Sequence, residues 1–267
     1  MAEPLISSAQ NPKVKQLIAL QQKSSERRKN GHFIVEGRRE LQHCIEAGFQ
    51  VEALYCCPSL FSQEPFPVVP GTPQRYEVTP AVYDKIAYRG GTEGVVAVVR
   101  ARQLTLNDLK LSQQPLLVVL ESVEKPGNLG AILRSADAAH ADAVIVCDPL
   151  TDLYNPNLIR GSLGAIFSVP CVACSSEACI AFLKAHGISI LTAQLQDSKL
   201  YYDTDMRRGT AIVMGTEATG LTEIWRQAAD AHIRIPMLGR LDSLNVSVSA
   251  AILLFEAVRQ RQNPTTL

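Results

Sequence analysis

The chain has 267 residues, 46% of them hydrophobic, which is ample for one large domain or two ordinary ones and excludes disordered and collagen-like classes. Twenty-six basic and 26 acidic residues leave a formal net charge of +0, so any case for a nucleic-acid partner must come from the distribution of charge. No run approaches the roughly 18 apolar residues that cross a bilayer. Met1-Ala2-Glu3-Pro4 resembles no signal peptide, and seven scattered cysteines fit reduced thiols, so the chain reads as cytoplasmic.

An amphipathic helix carried by Val14, Leu17, Ile18 and Leu20 is predicted over 12–29, closing at Asn30-Gly31. A strand at 32–35, a helix at 38–47 stopped by Gly48 and a strand at 51–57 follow. A connection rich in proline (Pro58, Pro65, Pro67, Pro70, Pro73) leads to a short helix near 81–87, the turn Arg89-Gly90-Gly91 and an apolar strand at 94–99. Residues 1–100 thus form a small α/β domain. Between residues 11 and 40 there are eight basic residues against three acidic ones, and Arg27, Arg28, Lys29, Arg38 and Arg39 are the candidate phosphate-binding face. The plainer reading of that segment is a solvated helix surface.

Residues 101–114 are polar and read as a linker to a second domain, 115–267. That domain opens on a continuous apolar run at 115–120, of the kind buried in a parallel sheet, with further strands at 143–147, 188–192, 210–215 and 232–236 and helical patterns between. Strands alternating with helices predict a doubly wound α/β domain whose sites lie at the carboxyl ends of its strands. Cys171, Cys174, Cys179 and His186 suggest metal ligands at first. However, Cys171 and Cys174 flank Val172-Ala173 at a strand end and Cys179 sits in an apolar helical run, so no metal is expected.

Three constellations could carry chemistry. In the first, Gly127 and Gly130 let the chain turn into a helix that Asn128 can cap, and Arg134 lies near enough to the mouth to reach a phosphate with its forked guanidinium. Neither a G-x-G-x-x-G fingerprint nor a P-loop Lys is present, which argues against nicotinamide and ATP. The second, Gly215-Thr216-Glu217-Ala218-Thr219-Gly220, is a glycine-bounded loop with a carboxylate at its centre, able to take a ligand against its backbone. In the third, the polar turn holding Ser243, Asn245 and Ser247 leads into an apolar helix, although the alternation over 243–249 also suits a short strand.

In this order, and at these strand ends, the three resemble the SpoU/TrmH family of RNA ribose 2′-O-methyltransferases, within the SPOUT superfamily. Residues 128–134, 215–220 and 243–247 look like its three motifs, and 160–170 is similar to a further family segment. Residues 33–38 and 94–98 resemble its ribosomal-protein-like N-terminal domain, while Ala139-His140-Ala141 departs from a more usual aromatic-glycine pair. The resemblance implies a trefoil-knotted α/β domain. Its methyl donor would be S-adenosylmethionine, held against the backbone of Gly215, Ile235 and Leu244 with Thr192 at a neighbouring strand end. It also implies a homodimer with composite sites. Arg134 would position the RNA and stabilise the reacting oxygen, Glu217 would orient Arg134 or the ribose, Asn128 would hold the loop and target, and Asn245 and Ser247 would support cofactor and substrate. Large-subunit rRNA is the first substrate expected and tRNA the second. The alternative from another class is a non-catalytic RNA-binding or ribosome assembly protein of the same fold.

Overall fold

Strand β1 (Leu5–Ile6) precedes a helix that the sequence starts in two ways. The Asn11 side chain accepts the Lys13 amide at 2.9 Å, and Pro12 fills a first-turn position where an N–H has no helical partner. The single helix expected over 12–29 is two, α1 (Pro12–Gln22) and α2 (Ser24–Asn30), because Lys23 between them is extended. Elements β2 (His32–Glu36), α3 (Arg38–Glu46), β3 (Val51–Cys56), β4 (Gln74–Val78), α4 (Pro80–Ile86) and β5 (Val95–Arg100) follow. This is a computed structural model, which describes residues 4–61, 66–88, 93–216 and 219–262; the predicted turn at Arg89-Gly90-Gly91 lies outside them.

The first sheet has the order β1-β4-β3-β5-β2, with β4 parallel to β1 and β3, and β5 antiparallel to β3 and β2. Strand β4 lies where the sequence suggested only a connection. Its prolines all precede Gln74, and the strand alternates, with Tyr76 and Val78 buried and Arg75 and Glu77 exposed. Val14, Leu17 and Leu20 of α1 join Ile34, Tyr55 and Val96 of the sheet in one core.

The chain continues through β6 (Leu116–Glu121), α5 (Pro126–Ala138), β7 (Ala143–Cys147), α6 (Pro156–Ser162), α7 (Ala165–Ser168), β8 (Cys171–Cys174), α8 (Ser176–Ala185), β9 (Ser189–Ala193), β10 (Lys199–Leu200), β11 (Thr210–Met214), α9 (Glu223–Ala228), β12 (Ala231–Arg234) and α10 (Val246–Gln262). The second sheet has the order β10-β12-β9-β11-β6-β7-β8, and every pairing in it is parallel. Central β6 is buried at every position, as its apolar run predicted. From β6 the chain proceeds outward through β7 and β8, then crosses to the other side for β9, β11 and β12. The strand order therefore reverses between β6 and β11, where a doubly wound sheet opens a crevice at its carboxyl edge. Helix α5 ends with His140 left-handed at φ +52, so a histidine fills a backbone position that glycine fills at lower cost.

Two compact units emerge, Met1–Arg102 with Tyr154–Ser168, and Gln103–Leu153 with Val169–Leu267. Helices α6 and α7, expected in the 115–267 domain, belong to the first unit. Tyr154 stacks on Phe33 with ring centroids 4.2 Å apart, Phe167 meets Phe49 edge-on at 5.3 Å, and the Tyr154 hydroxyl donates to the Arg102 carbonyl at 2.6 Å. Most of the stretch expected as a linker joins the second unit, because Leu106, Leu109 and Leu111 pack on its core beside residues such as Ile190 and Trp225.

Candidate active site

The crevice between β6 and β11 holds a cleft of about 130 Å³. One wall is the connection from β6 into α5, with Glu124, Lys125 and Asn128; Gly215 and Thr216 after β11 form another, and Val246 of α10 closes it. The turn into α5 is not made as expected. Ser122 takes the left-handed conformation at φ +53, whereas Gly127 and Asn128 lie inside the helix and Pro126 starts it. Asn128 therefore does not cap α5, and its side chain is available to the third motif instead. The Asn245 Nδ2 donates to Asn128 Oδ1 at 3.2 Å, joining residues 117 positions apart.

Asn245 is the N-cap of α10. Its Oδ1 accepts the Ser247 amide at 3.0 Å and the Ser247 hydroxyl at 2.6 Å, and its own carbonyl accepts the amides of Val248 and Ser249. These bonds decide the ambiguous stretch 243–249 in favour of a helix start. They also fix the amide orientation, so that Ser247 acts through Asn245 and aims Nδ2 at Asn128.

Gly215 is required by close approach. A Cβ there would stand 2.2 Å from the Gly220 oxygen and 2.6 Å from the Leu221 nitrogen, inside any real contact distance. Gly220 is left-handed at φ +69, and its amide is bonded to the Thr216 carbonyl. Glu217 lies outside the described residues. A buried carboxylate that sequence reasoning missed anchors the far end of this loop: Glu121, the last residue of β6, accepts the Thr222 amide at 2.8 Å and the Thr222 hydroxyl at 2.5 Å. Its signal was an acidic residue closing an otherwise apolar strand.

A second cleft, of about 150 Å³, lies between the ends of β9 and β12 and the segment before α10. Ile235 and Leu244, both expected at the cofactor, line it together with Ala193, Leu195, Asp242 and Ser243. Thr192 does not join them. It is fully buried one residue earlier, and its hydroxyl is 2.6 Å from His232 Nδ1. Arg134 lines neither cleft; it is exposed on α5 and makes no hydrogen bond or ion pair with another described residue.

The candidate phosphate-binding residues divide. Arg27 is buried, and its Nη1 donates to the carbonyls of Leu20 and Gln21 at 2.6 and 3.0 Å, closing the end of α1. Arg38 is buried too, its guanidinium 4.9 Å from the Phe61 ring centre. Arg28, Lys29 and Arg39 are exposed, and Arg39 pairs with Glu40 at 2.7 Å. The cysteines also group differently. Cys171 is buried apart, and His186 is exposed, its Nδ1 at 2.8 Å from the Phe182 carbonyl. The thiols that converge are Cys147, Cys174 and Cys179, and the two neighbouring thiols favour the Cys174 thiolate, pulling Cys174 below the usual thiol range.

Residues 115–255 match the SpoU rRNA Methylase family, and residues 11–97 match the MRM3-like substrate binding domain. The chain is 28% identical, over 94% of its length and 97% of the relative's, to the 23S rRNA (guanosine(2553)-2′-O)-methyltransferase RlmP of Bacillus subtilis. It is 30% identical, over 95% of its length and 92% of the relative's, to a 23S rRNA (uridine(2479)-2′-O)-methyltransferase of Streptomyces viridochromogenes. The crystal structure of an AdoMet-bound rRNA methyltransferase from Sinorhizobium meliloti superposes with a TM-score of 0.85 at 29% identity, covering 96% of this chain and 97% of that one. With its three motifs gathered at the switch point and more than half of its length matched, the chain belongs to the SpoU rRNA methylase family.

Proposed function

We propose that this protein methylates a ribose 2′-hydroxyl of structured RNA, a nucleotide of large-subunit rRNA, using S-adenosylmethionine. The observation that carries the reading is the Asn245–Asn128 hydrogen bond, which draws the third motif onto the first beside the glycine wall of the second. The names of the full-length relatives support rRNA as the substrate. The residues fit the cofactor. Gly215 has backbone where a side chain would stand, and the Ile235–Leu244 cleft pairs apolar surface with strand-end backbone, as an adenosyl group requires. Gly215, Ile235 and Leu244 would hold it, with Thr192 supporting the β9 end from beneath. When bound, it supplies an electrophilic methyl group on a sulfonium.

The protein's own residues must orient a ribose hydroxyl, a poor nucleophile at neutral pH, and stabilise the charge that develops on it. A protonated guanidinium accepts no proton, so Arg134 grips an RNA phosphate and stabilises the developing alkoxide while the proton leaves through phosphate or water. Glu217 orients Arg134 or the ribose. Asn128 holds the target with Asn245 behind it, and Ser247 locks Asn245. Arg134 follows Asn128 by six helical residues, about 9 Å along α5 and about 120° around it. That displacement, with its exposure, supports a homodimer in which Arg134 of one subunit serves the cleft of the other. A trefoil knot is supported by the return of 236–245 from β12 to α10, which packs on α5 and β11. On the first unit, Arg28, Lys29 and Arg39 supply the phosphate contacts. The protein works in the cytoplasm, and among the described residues no helix is long and apolar enough to cross a membrane.

Tritium transfer from labelled S-adenosylmethionine to rRNA tests the reading. Arg134→Ala should lower the rate by about 10²- to 10³-fold while calorimetry still shows cofactor binding. Full activity in that variant would reject the assignment. Mapping 2′-O-methyl positions in total RNA with and without the gene identifies the nucleotide.

A further inference from the structure

Three cysteines the methylation reading leaves unused meet at the carboxyl ends of β7 and β8. Cys147 ends β7 and Cys174 ends β8, and the parallel register puts the two side by side. Cys179 lies in the first turns of α8, whose start is fixed by the Ser175 hydroxyl accepting the Ala178 amide at 3.2 Å. The three sulfurs all lie within 4.8 Å of one another. Thiolates bound to one metal ion at about 2.3 Å hold their sulfurs about 4 Å apart, so these need to close by less than about 1 Å. Cys147 and Cys179 are fully buried, while Cys174 is half-buried and gives an ion a way in. The rim is held in place: Asp148 Oδ2 accepts the Ser176 amide and hydroxyl at 3.2 and 2.7 Å, and the Trp225 Nε1 donates to that hydroxyl at 3.0 Å.

We propose that Cys147, Cys174 and Cys179 form a three-thiolate site for a thiophilic d¹⁰ cation, Zn²⁺ or Cu⁺, separate from the RNA-modifying site. Soft thiolates select these ions. Each metal–sulfur bond replaces an S–H bond and sends its proton to solvent, with no change of oxidation state. Cu⁺ is satisfied by three sulfurs; Zn²⁺ takes a water as its fourth ligand on the Cys174 side. The ion would tie together the ends of β7 and β8 and the start of α8.

The test uses the full chain, reduced and stripped of metal without oxygen, titrated with Zn²⁺ or Cu⁺ against a chromogenic chelator, and with Co²⁺ to report sulfur-to-metal charge transfer. One equivalent of Zn²⁺ or of Cu⁺ per chain is expected. Loss of an outer-shell partner alone costs about 10- to 100-fold in affinity, so Cys174→Ser should weaken binding by more than that, and Cys179→Ala serves if Cys174→Ser does not fold. Cys171→Ala should bind as wild type. Failure of the reduced wild type to bind either ion, or undiminished binding by a folded Cys174→Ser or Cys179→Ala variant, overturns the proposal. So does a Cys147–Cys174 disulfide in the protein as isolated from reducing cytosol.

Discussion

Gly215→Ala is the sharpest perturbation of the site that a single methyl group can make. The new Cβ would stand 2.2 Å from the Gly220 oxygen and 2.3 Å from its carbonyl carbon, with the Leu221 nitrogen at 2.6 Å. All three are backbone atoms, so no side chain can swing away, and ordinary contact at about 3.4 Å requires the loop to move by more than about 1 Å. Glu121 resists that movement through its two bonds to Thr222. Overpacking of this kind costs about 1–3 kcal/mol. At about 2–4 °C per kcal/mol for a chain of this size, Tm should fall by about 2–12 °C. The displaced loop also changes the wall of the cleft, so calorimetry should show weaker S-adenosylmethionine binding. Gly127→Ala is the control, because nothing lies within 4 Å of its added Cβ and it sits in a helix. Wild-type Tm and wild-type cofactor affinity in Gly215→Ala would refute the close-approach argument.

Two neighbouring arginines should behave oppositely. Arg27→Ala removes two charge-assisted bonds to the end of α1 and should cost about 2 kcal/mol, read by urea unfolding, whereas Arg28→Ala should leave stability unchanged and lower the salt slope of RNA binding by about 1. A stable Arg27→Ala chain with impaired RNA binding would reverse those roles. On α10, hydrogen bonds from Arg259 hold the Glu256 carboxyl below the usual carboxylate range, and Gln260 adds a further bond. A depressed folded pKa stabilises above the unfolded value, about 4.3, and that contribution is lost as pH falls through the lower folded value. Glu256→Gln should therefore melt below wild type at pH 7, with the gap closing as pH falls below about 4. A constant gap would show that the charge is not its source.

Where a residue's environment is set by its own strand, the sequence was informative. The apolar runs at β6 and β7 suited strands buried on both faces of a parallel sheet, and the motif residues follow such strands. Where environment depends on what packs across, it was not. Arg27 and Arg28 are adjacent and chemically identical, and only the end of α1 lying against α2 makes one a cap and leaves the other exposed. The family resemblance implied Thr192 near the cofactor; its hydroxyl is 2.6 Å from His232 Nδ1, a partner 40 positions away that no local pattern announces. Cys174 and Cys179 stood out in the sequence beside the wrong partners, Cys171 and His186, because a strand register, not a spacing, brings Cys147 to Cys174. Asn128 was read as a cap for its own helix, and its bond to Asn245 depends on a residue more than a hundred positions away.

The segment Tyr154–Ser168 gives the first unit a delayed completion during synthesis. Phe33 and Phe49 leave the ribosome early, yet the rings that cover them, Tyr154 and Phe167, emerge only after β6, α5 and β7 have been made. At about 5–20 residues per second, the stretch from Arg102 to Ser168 takes roughly 3–13 s. For that interval a nascent chain carries uncovered aromatic surface. A chimera that exchanges the N-terminal domain without also exchanging 154–168 would pair Tyr154 and Phe167 with residues other than Phe33 and Phe49.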